Sequence, residues 1–319
     1  MSGVAILGAG AFGTALAIAL GHARADVTLW GRDAQAMEDV ATTRESPRLP
    51  GATLPTSVKV TADLRHAASA STLLLALPMQ QLATFATREA ALLQGKILVA
   101  CCKGIDLNTG RLPHEILAEA VPDATPALLS GPSFAADIAL RLPTALTLAV
   151  TGDARALQER LSTPALRLYT SDDLTGVALG GAMKNVIAIG CGTAMGAGLG
   201  ESARAALMTR GFAEMTRHAL ALGGQAETLA GLSGFGDLAL TCTSEKSRNY
   251  RFGLRLGAQG SVEAAETTEG IATASALAGM ARRQSMDLPV TQAVAALCQG
   301  DITVDDAIDR LLSRPLKAE

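Results

Sequence analysis

With 319 residues the chain is long enough for two domains, each with a core of its own. Apolar residues make up 49 % of it and the net charge is −3 without a basic stripe, so no nucleic-acid partner is expected. No uncharged apolar run reaches the roughly 20 residues of a membrane span. No basic n-region or cleavage site marks a signal peptide, so a cytoplasmic protein without membrane insertion is expected.

Residues 3–7, Gly-Val-Ala-Ile-Leu, read as a short buried strand, and an alanine-rich helix is predicted to run to about Leu20. Between them lies Gly8-Ala9-Gly10-Ala11-Phe12-Gly13, a G-x-G-x-x-G in the strand–turn–helix context of a dinucleotide site. Gly8 permits the tight turn, Gly10 lets backbone approach a pyrophosphate, and Gly13 lets the helix pack on the strand. The helix N-terminus adds free N–H groups and partial positive charge. The plainer alternative is a glycine-rich turn without a ligand.

Residues 27–30 read as the second strand. It ends in Gly31-Arg32-Asp33, where an NAD-specific fold would place an acid. Arg32 either faces a 2′-phosphate, which favours NADPH, or is a solvated arginine. Asp33 is expected to cap the next helix. Residues 44–57, with Pro47, Pro50, Gly51 and Pro55, are read as a loop. Strand-like runs at 57–60, 72–77, 97–100, 127–129 and 145–150 alternate with helical segments such as 80–93 and 113–120. This α/β alternation implies a Rossmann-like, mostly parallel sheet, whose ligands gather at the strands' carboxyl ends. Leu77-Pro78, Cys102-Lys103-Gly104 and Ser130-Gly131-Pro132-Ser133 fall there. Ser133 is expected both to cap a helix holding Ala135 and Asp137 and to face the ligand.

The strand pattern stops near Ser171-Asp172. Residues 1–171 are therefore read as the dinucleotide-binding domain, and 172–319 as an all-helical C-terminal domain carrying substrate binding and catalysis. Helices are predicted over 174–192, 202–222, 237–243, 271–283, 289–298 and 304–312. The first of these contains the apolar run from Gly180 to Ile189, with Lys184 in its middle. On a helix, Gly180, Gly181, Ile187, Ala188 and Cys191 share its face, leaving room for something to lie against the ammonium group. A desolvated lysine titrates closer to neutrality and can pass a proton. The alternative is a buried stem whose charged head reaches water.

Lysine is scarce, six of 27 cations. Lys59, Lys96, Lys246 and Lys317 lie in polar or turn-like settings, whereas Lys103 and Lys184 lie among small and apolar residues. Lysine can lose its proton and arginine effectively cannot, so these two are the candidates for chemistry. Further on, Gly231, Gly234 and Gly236 lead into Asp237, one helical turn from Thr241. Ser247-Arg248-Asn249 then groups a hydroxyl, a guanidinium and an amide, a mix that suits a phosphate ester. The alternative makes Asp237 a helix cap and Arg248 a surface charge. The five cysteines include no C-x-x-C and are read as reduced, with Cys101-Cys102 as buried thiols at a strand end. The four histidines lack ligand spacing, so no metal is expected.

Taken together, these motifs resemble the NAD(P)-dependent glycerol-3-phosphate dehydrogenases, specifically their bacterial biosynthetic branch. The resemblance runs through Gly8–Gly13, Cys102-Lys103-Gly104-Ile105, Leu129-Ser130-Gly131-Pro132-Ser133-Phe134-Ala135, Lys184-Asn185-Val186-Ile187-Ala188-Ile189 and Thr209-Arg210-Gly211. It ends on Gly236-Asp237-Leu238, Thr241-Cys242-Thr243-Ser244 and Ser247-Arg248-Asn249. It implies reduction of dihydroxyacetone phosphate to sn-glycerol 3-phosphate for phospholipid synthesis; a homodimer is expected, and Arg32 motivates a preference for NADPH over NADH. The position matching Lys184 is the family's proton donor, with Asp237 expected to orient it. Those matching Lys103, Gly131, Ser133, Lys184, Asp237, Thr241, Ser247, Arg248 and Asn249 bind substrate. Those matching Gly8, Gly10, Ala11, Phe12, Gly13, Arg32, Lys103, Ala135, Arg248, Thr267 and Glu269 bind cofactor. Departures include Ala11 for the usual serine, Phe12 for a common Trp or Tyr, Thr267-Thr268 for Val-Val, and Ser202 for a frequent asparagine. Two competing functions are a related β-hydroxyacid or ketopantoate reductase, whose substrate carries a carboxylate, and a non-catalytic NADP(H)-sensing module, which needs neither Lys184 nor Asp237.

Overall fold

The structure is a computed structural model that describes residues 3–24, 26–260, 269–284 and 286–312. The chain divides into two units, Met1–Asp106 with Arg111–Ala178, and Leu107–Gly110 with Leu179–Glu319.

The first unit is a sheet flanked by helices. In chain order come β1 (Val4–Leu7), α1 (Ala11–Ala23), β2 (Val27–Trp30), α2 (Ala34–Thr43), β3 (Glu45–Ser46), β4 (Leu49–Thr53), β5 (Lys59–Thr61) and α3 (Leu64–Ala67). Then follow β6 (Thr72–Leu75), α4 (Met79–Arg88), α5 (Ala90–Leu93), β7 (Ile97–Ala100), α6 (Pro113–Ala120), β8 (Thr125–Ser130), α7 (Ala135–Ala139), β9 (Thr144–Val150), α8 (Arg155–Leu161) and β10 (Leu166–Ser171). Eight strands form one sheet in the order β10-β9-β8-β7-β6-β1-β2-β5. All neighbours are parallel except β8 and β9. β1 and β6 are buried along their whole length, as expected of strands covered on both faces. Strand order reverses between them. After β5 the chain returns to the other side of β1, and this switch point is where a doubly wound sheet opens a crevice.

Several sequence expectations change here. Residues 44–57 are not all loop, because β3 and β4 pair as a two-stranded antiparallel sheet. Its one proline, Pro50 in β4, is tolerated because so small a sheet is all edge, and Pro47 and Pro55 lie outside the strands. Arg44, left-handed at φ 59, ends α2 and donates to the Val58 carbonyl at 2.8 Å and to that of Pro55. The single helix expected over 80–93 is broken at Glu89 into α4 and α5. A strand at β10, which the periodicity did not suggest, forms the sheet's far edge with alternating burial. Asp33 caps α2 as expected, accepting from the Ala36 N–H at 3.1 Å.

The second unit is built around α9 (Leu174–Gly196), which enters it at Leu179. Around it lie α10 (Gly200–Ala221), α11 (Ala226–Ala230), a π-turn over Leu232–Gly236, α12 (Asp237–Cys242), α13 (Arg248–Gln259), α14 (Glu269–Gln284), α15 (Pro289–Gln299) and α16 (Val304–Leu312). α9 is apolar on every side, and such a helix belongs at a core's centre. It is long and apolar enough to cross a bilayer, yet 89 % of its most apolar window is buried inside the protein. α11, the π-turn and α13 are absent from the helices predicted above.

Candidate active site

In the first unit the glycine-rich turn leaves β1 at the switch point. Gly8 has φ +123, open to glycine but strained for other residues, and a Cβ there would lie 2.8 Å from the Ala76 carbonyl carbon. At Gly13 a Cβ would overlap the Gly8 carbonyl oxygen and sit 3.0 Å from Ala76 Cβ. The turn itself therefore demands both glycines. Gly10 differs: it is exposed, its φ is an ordinary −74, and nothing lies within 4 Å of where its Cβ would be. The open space at Gly10 and the first turn of α1, which no side chain caps, suit a pyrophosphate. These features fit a dinucleotide. Ala11 and Phe12 are half-buried in that turn, and Arg32 is exposed just beyond β2.

Lys103 follows β7, and Gly131 follows β8. Lys103 Nζ donates to the Gly131 carbonyl at 3.2 Å, and Ser133 Oγ reaches the same oxygen at 3.4 Å. Gly131 has φ +143 and abuts β9, where a Cβ on it would lie 3.1 Å from Leu146 Cα. Ser133 is not the expected helix cap. Phe134 holds that position and has no side-chain acceptor, so α7 opens at Ala135 without one. Ala135 packs against the core that α1 helps to form.

In the second unit Lys184 lies mid-helix on α9, 7 % exposed, beside fully buried Asp237. Its Nζ donates to Asp237 Oδ1 at 2.6 Å and to Thr241 Oγ1 at 2.9 Å. Thr241 Oγ1 donates in turn to the Asp237 carbonyl at 2.6 Å, one turn back on α12. The lysine does not reach out to water, and Asp237 is the first residue of α12 after its N-cap Gly236, with its carboxylate paired to the lysine; the surface-charge reading of Arg248 stays open, because Arg248 is exposed. Nor is the small face of α9 vacant, because Gly180 is filled by the backbone of Ser233 and Gly234. Burial pushes the Cys242 thiol well above its ordinary range, and a hydrogen bond shared with Cys191 adds to this. Cys242 thus stays protonated beside the pair. Two unlike charges so buried are stabilised only as a pair, and removing one strands the other.

Ser247 is the N-cap of α13, accepting from the Tyr250 N–H at 3.2 Å. Arg248 is exposed and Asn249 half-buried, on the first turn. Asn249 Oδ1 accepts from the Gly270 N–H at 3.1 Å, which ties α13 to the start of α14, where Glu269 is exposed. Thr267 lies outside the described residues. The roles assigned from sequence omit Asn185, 7 % exposed next to Lys184. A polar residue inside an apolar run was the available signal, the same one that singles out Lys184.

Comparison with known proteins places these motifs in a family. The family model described as NAD-dependent glycerol-3-phosphate dehydrogenase N-terminus matches residues 3–156, and its C-terminus counterpart matches residues 173–309. Over 319 residues the chain is 57 % identical to a glycerol-3-phosphate dehydrogenase [NAD(P)+] of Ruegeria sp. (strain TM1040), covering 99 % of each chain. It is 54 % identical over 318 residues to the protein of that name from Paracoccus denitrificans (strain Pd 1222), again covering 99 % of each. Among solved structures, glycerol-3-phosphate dehydrogenase (gpsA) from Coxiella burnetii superposes with a TM-score of 0.91 at 35 % identity, over 98 % of this chain and 99 % of that one. The chain belongs to the NAD-dependent glycerol-3-phosphate dehydrogenase family, and is an oxidoreductase whose cofactor is NADPH or NADH.

Proposed function

We propose that the protein reduces dihydroxyacetone phosphate to sn-glycerol 3-phosphate, with Lys184 as the proton donor and NADPH as the preferred cofactor. The observation that carries this reading is the buried Lys184–Asp237 contact, Nζ to Oδ1 at 2.6 Å, with Thr241 as a second partner. Gly8, Gly10 and Gly13 would hold the dinucleotide, which when bound would supply a hydride for the ketone carbon. Lys184 donates a proton to the carbonyl oxygen as negative charge develops there, and accepts it back in the oxidation direction. Asp237 balances the ammonium charge and fixes its direction. Arg248, the first-turn N–H groups of α13 and the Ser247 hydroxyl anchor the phosphate, whose binding energy positions the reacting carbon. Asn185, a buried polar side chain next to the lysine, joins this set.

The phosphate anchor favours this substrate over the carboxylates of ketopantoate or β-hydroxyacid reductases. The lysine–aspartate pair favours catalysis over sensing. Lys184→Ala is expected to lower kcat by roughly 10²- to 10⁴-fold while NADPH still binds. A variant that reduces dihydroxyacetone phosphate at close to the wild-type rate would end the assignment. We also place the protein in the cytoplasm as a homodimer. Five free cysteines and the family resemblance support this, and light scattering of the purified protein tests the stoichiometry.

A further inference from the structure

Lys184 lies between two places where another segment's backbone is pressed directly onto α9. At Gly180, four residues before it, a Cβ would overlap the Ser233 carbonyl oxygen and lie 3.0 Å from Ser233 C and 3.2 Å from Gly234 Cα. Those residues belong to the π-turn, closed by Gly236 N–H to the Gly231 carbonyl at 3.0 Å, and its next residue is Asp237. On its other side the turn is wedged against α11, because a Cβ at Gly234 would meet Leu229 Cα at 2.6 Å. The π-turn therefore has no slack, and the aspartate it delivers has one position.

The second place is the crossing of α9 and α13. A Cβ at Gly192 would lie 2.9 Å from Leu254 N, and one at Gly196 2.8 Å from Leu254 C. From the other helix, a Cβ at Gly253 would lie 2.8 Å from Thr193 N and 3.0 Å from Gly192 Cα, and one at Gly257 2.7 Å from Ala197 N. Gly253 is five residues after Arg248, roughly 7–8 Å along the helix axis. The crossing therefore sets where Arg248 and Asn249 stand. Gly270 completes the arrangement: a Cβ there would lie 2.5 Å from Asn249 Oδ1 and 2.9 Å from the Asn185 carbonyl.

We infer that these two glycine notches on α9 are separate positioning devices, Gly180 setting the proton-donating pair and the Gly192–Gly253 contact setting the phosphate anchor. The inference rests on the roles proposed above for Lys184 and Arg248. The two notches govern different steps, so their loss has different kinetic signatures. A methyl group at Gly180 displaces Asp237 and slows proton delivery whatever the ketone carries. A methyl group at Gly253 forces the helices apart by about 1 Å, since packed interiors have no spare volume, and moves the anchor away from the phosphate.

The test compares the full-length wild type with Gly180→Ala and Gly253→Ala at saturating NADPH, on dihydroxyacetone phosphate and on unphosphorylated dihydroxyacetone. Gly180→Ala is expected to lower kcat on both ketones by one common factor, leaving their kcat/KM ratio unchanged. Gly253→Ala is expected to raise the KM for dihydroxyacetone phosphate and cut that ratio by roughly 10²-fold, the usual scale for a 1 Å misplacement. Rates are expressed per NADPH-binding site titrated in each preparation, so a partly unfolded sample is not mistaken for the common loss expected of Gly180→Ala, and a Gly180→Ala rate per site equal to the wild type overturns its positioning role. If Gly253→Ala does not accumulate, Gly257→Ala disturbs the same crossing and is read the same way. An unchanged ratio in the α13 variant, or a changed one in Gly180→Ala, overturns the inference. A wild type with no preference for the phosphorylated ketone instead overturns the functional reading beneath it.

Discussion

Gly10 and Gly13 sit three residues apart and answer to different constraints. Gly13 has backbone against its missing side chain, whereas Gly10 has open space. Gly13→Val is therefore expected to destabilise the free protein by about 1–3 kcal/mol or more through overpacking. Gly10→Val should leave the thermal midpoint of the free protein nearly unchanged and raise the NADPH KM by roughly tenfold, about 1.4 kcal/mol. A Gly10 variant that binds NADPH normally would remove the pyrophosphate from this turn. Arg32 is exposed beyond β2, and we propose that it carries the cofactor preference. Arg32→Ala should raise the KM for NADPH far more than that for NADH, and equal effects would show that it does not face the 2′-phosphate.

At the scale of elements, α15 shows how one helix end is satisfied from another helix. Leu288 occupies its N-cap position and has no oxygen to offer. Glu214 of α10 supplies it, accepting from Val290 N–H at 2.5 Å, Thr291 N–H at 3.1 Å and the Thr291 hydroxyl at 3.1 Å. Burial nevertheless holds this carboxyl above the usual carboxylate range, outweighing the hydrogen bonds that pull it down. The folded protein thus keeps the proton to a higher pH than the unfolded chain does. Its contribution to stability is full below the ordinary glutamate range and is lost as pH rises through the raised value. Glu214→Gln keeps an acceptor for the helix end and removes the titration. Urea midpoints measured from acid to neutral pH should accordingly fall less steeply with rising pH in the variant. Identical slopes would show that Glu214 is not the titrating group. This cap joins residues 76 positions apart, so nothing near Pro289 in the sequence announces it.

For the whole molecule, cofactor binding and folding are linked by mass action. NADPH at a hundred times its Kd should stabilise the protein by about 2.7 kcal/mol, seen as a rise in thermal midpoint. NADH at the same concentration should stabilise it less if Arg32 reads the 2′-phosphate, and Gly10→Val should lose most of the NADPH effect. A midpoint that does not respond to either dinucleotide would contradict the proposed site. The free, largely buried thiols need no part in this. Burial holds the Cys101 thiol far above its ordinary range and pushes that of Cys298 up to about 12, which keeps both in the unreactive form.

The family, the mostly parallel sheet and the helical second half were legible in the sequence because their signals are local. A glycine spacing, an alternation of strands with helices and a lysine inside an apolar run each fit within one or two elements. What only the tertiary structure decided depends on contacts between distant segments. Asp237 stands against Lys184 across 53 positions, and a π-turn that no periodicity suggests puts it there. Ser133 matched a helix-cap pattern, yet the chain bends one residue later and α7 starts from Phe134. Prolines marked residues 44–57 as irregular, yet a two-stranded sheet that is all edge accepts Pro50. The glycines of α9 look like empty space along the chain and are contact surfaces in the fold, because burial brings backbone to wherever a side chain is missing.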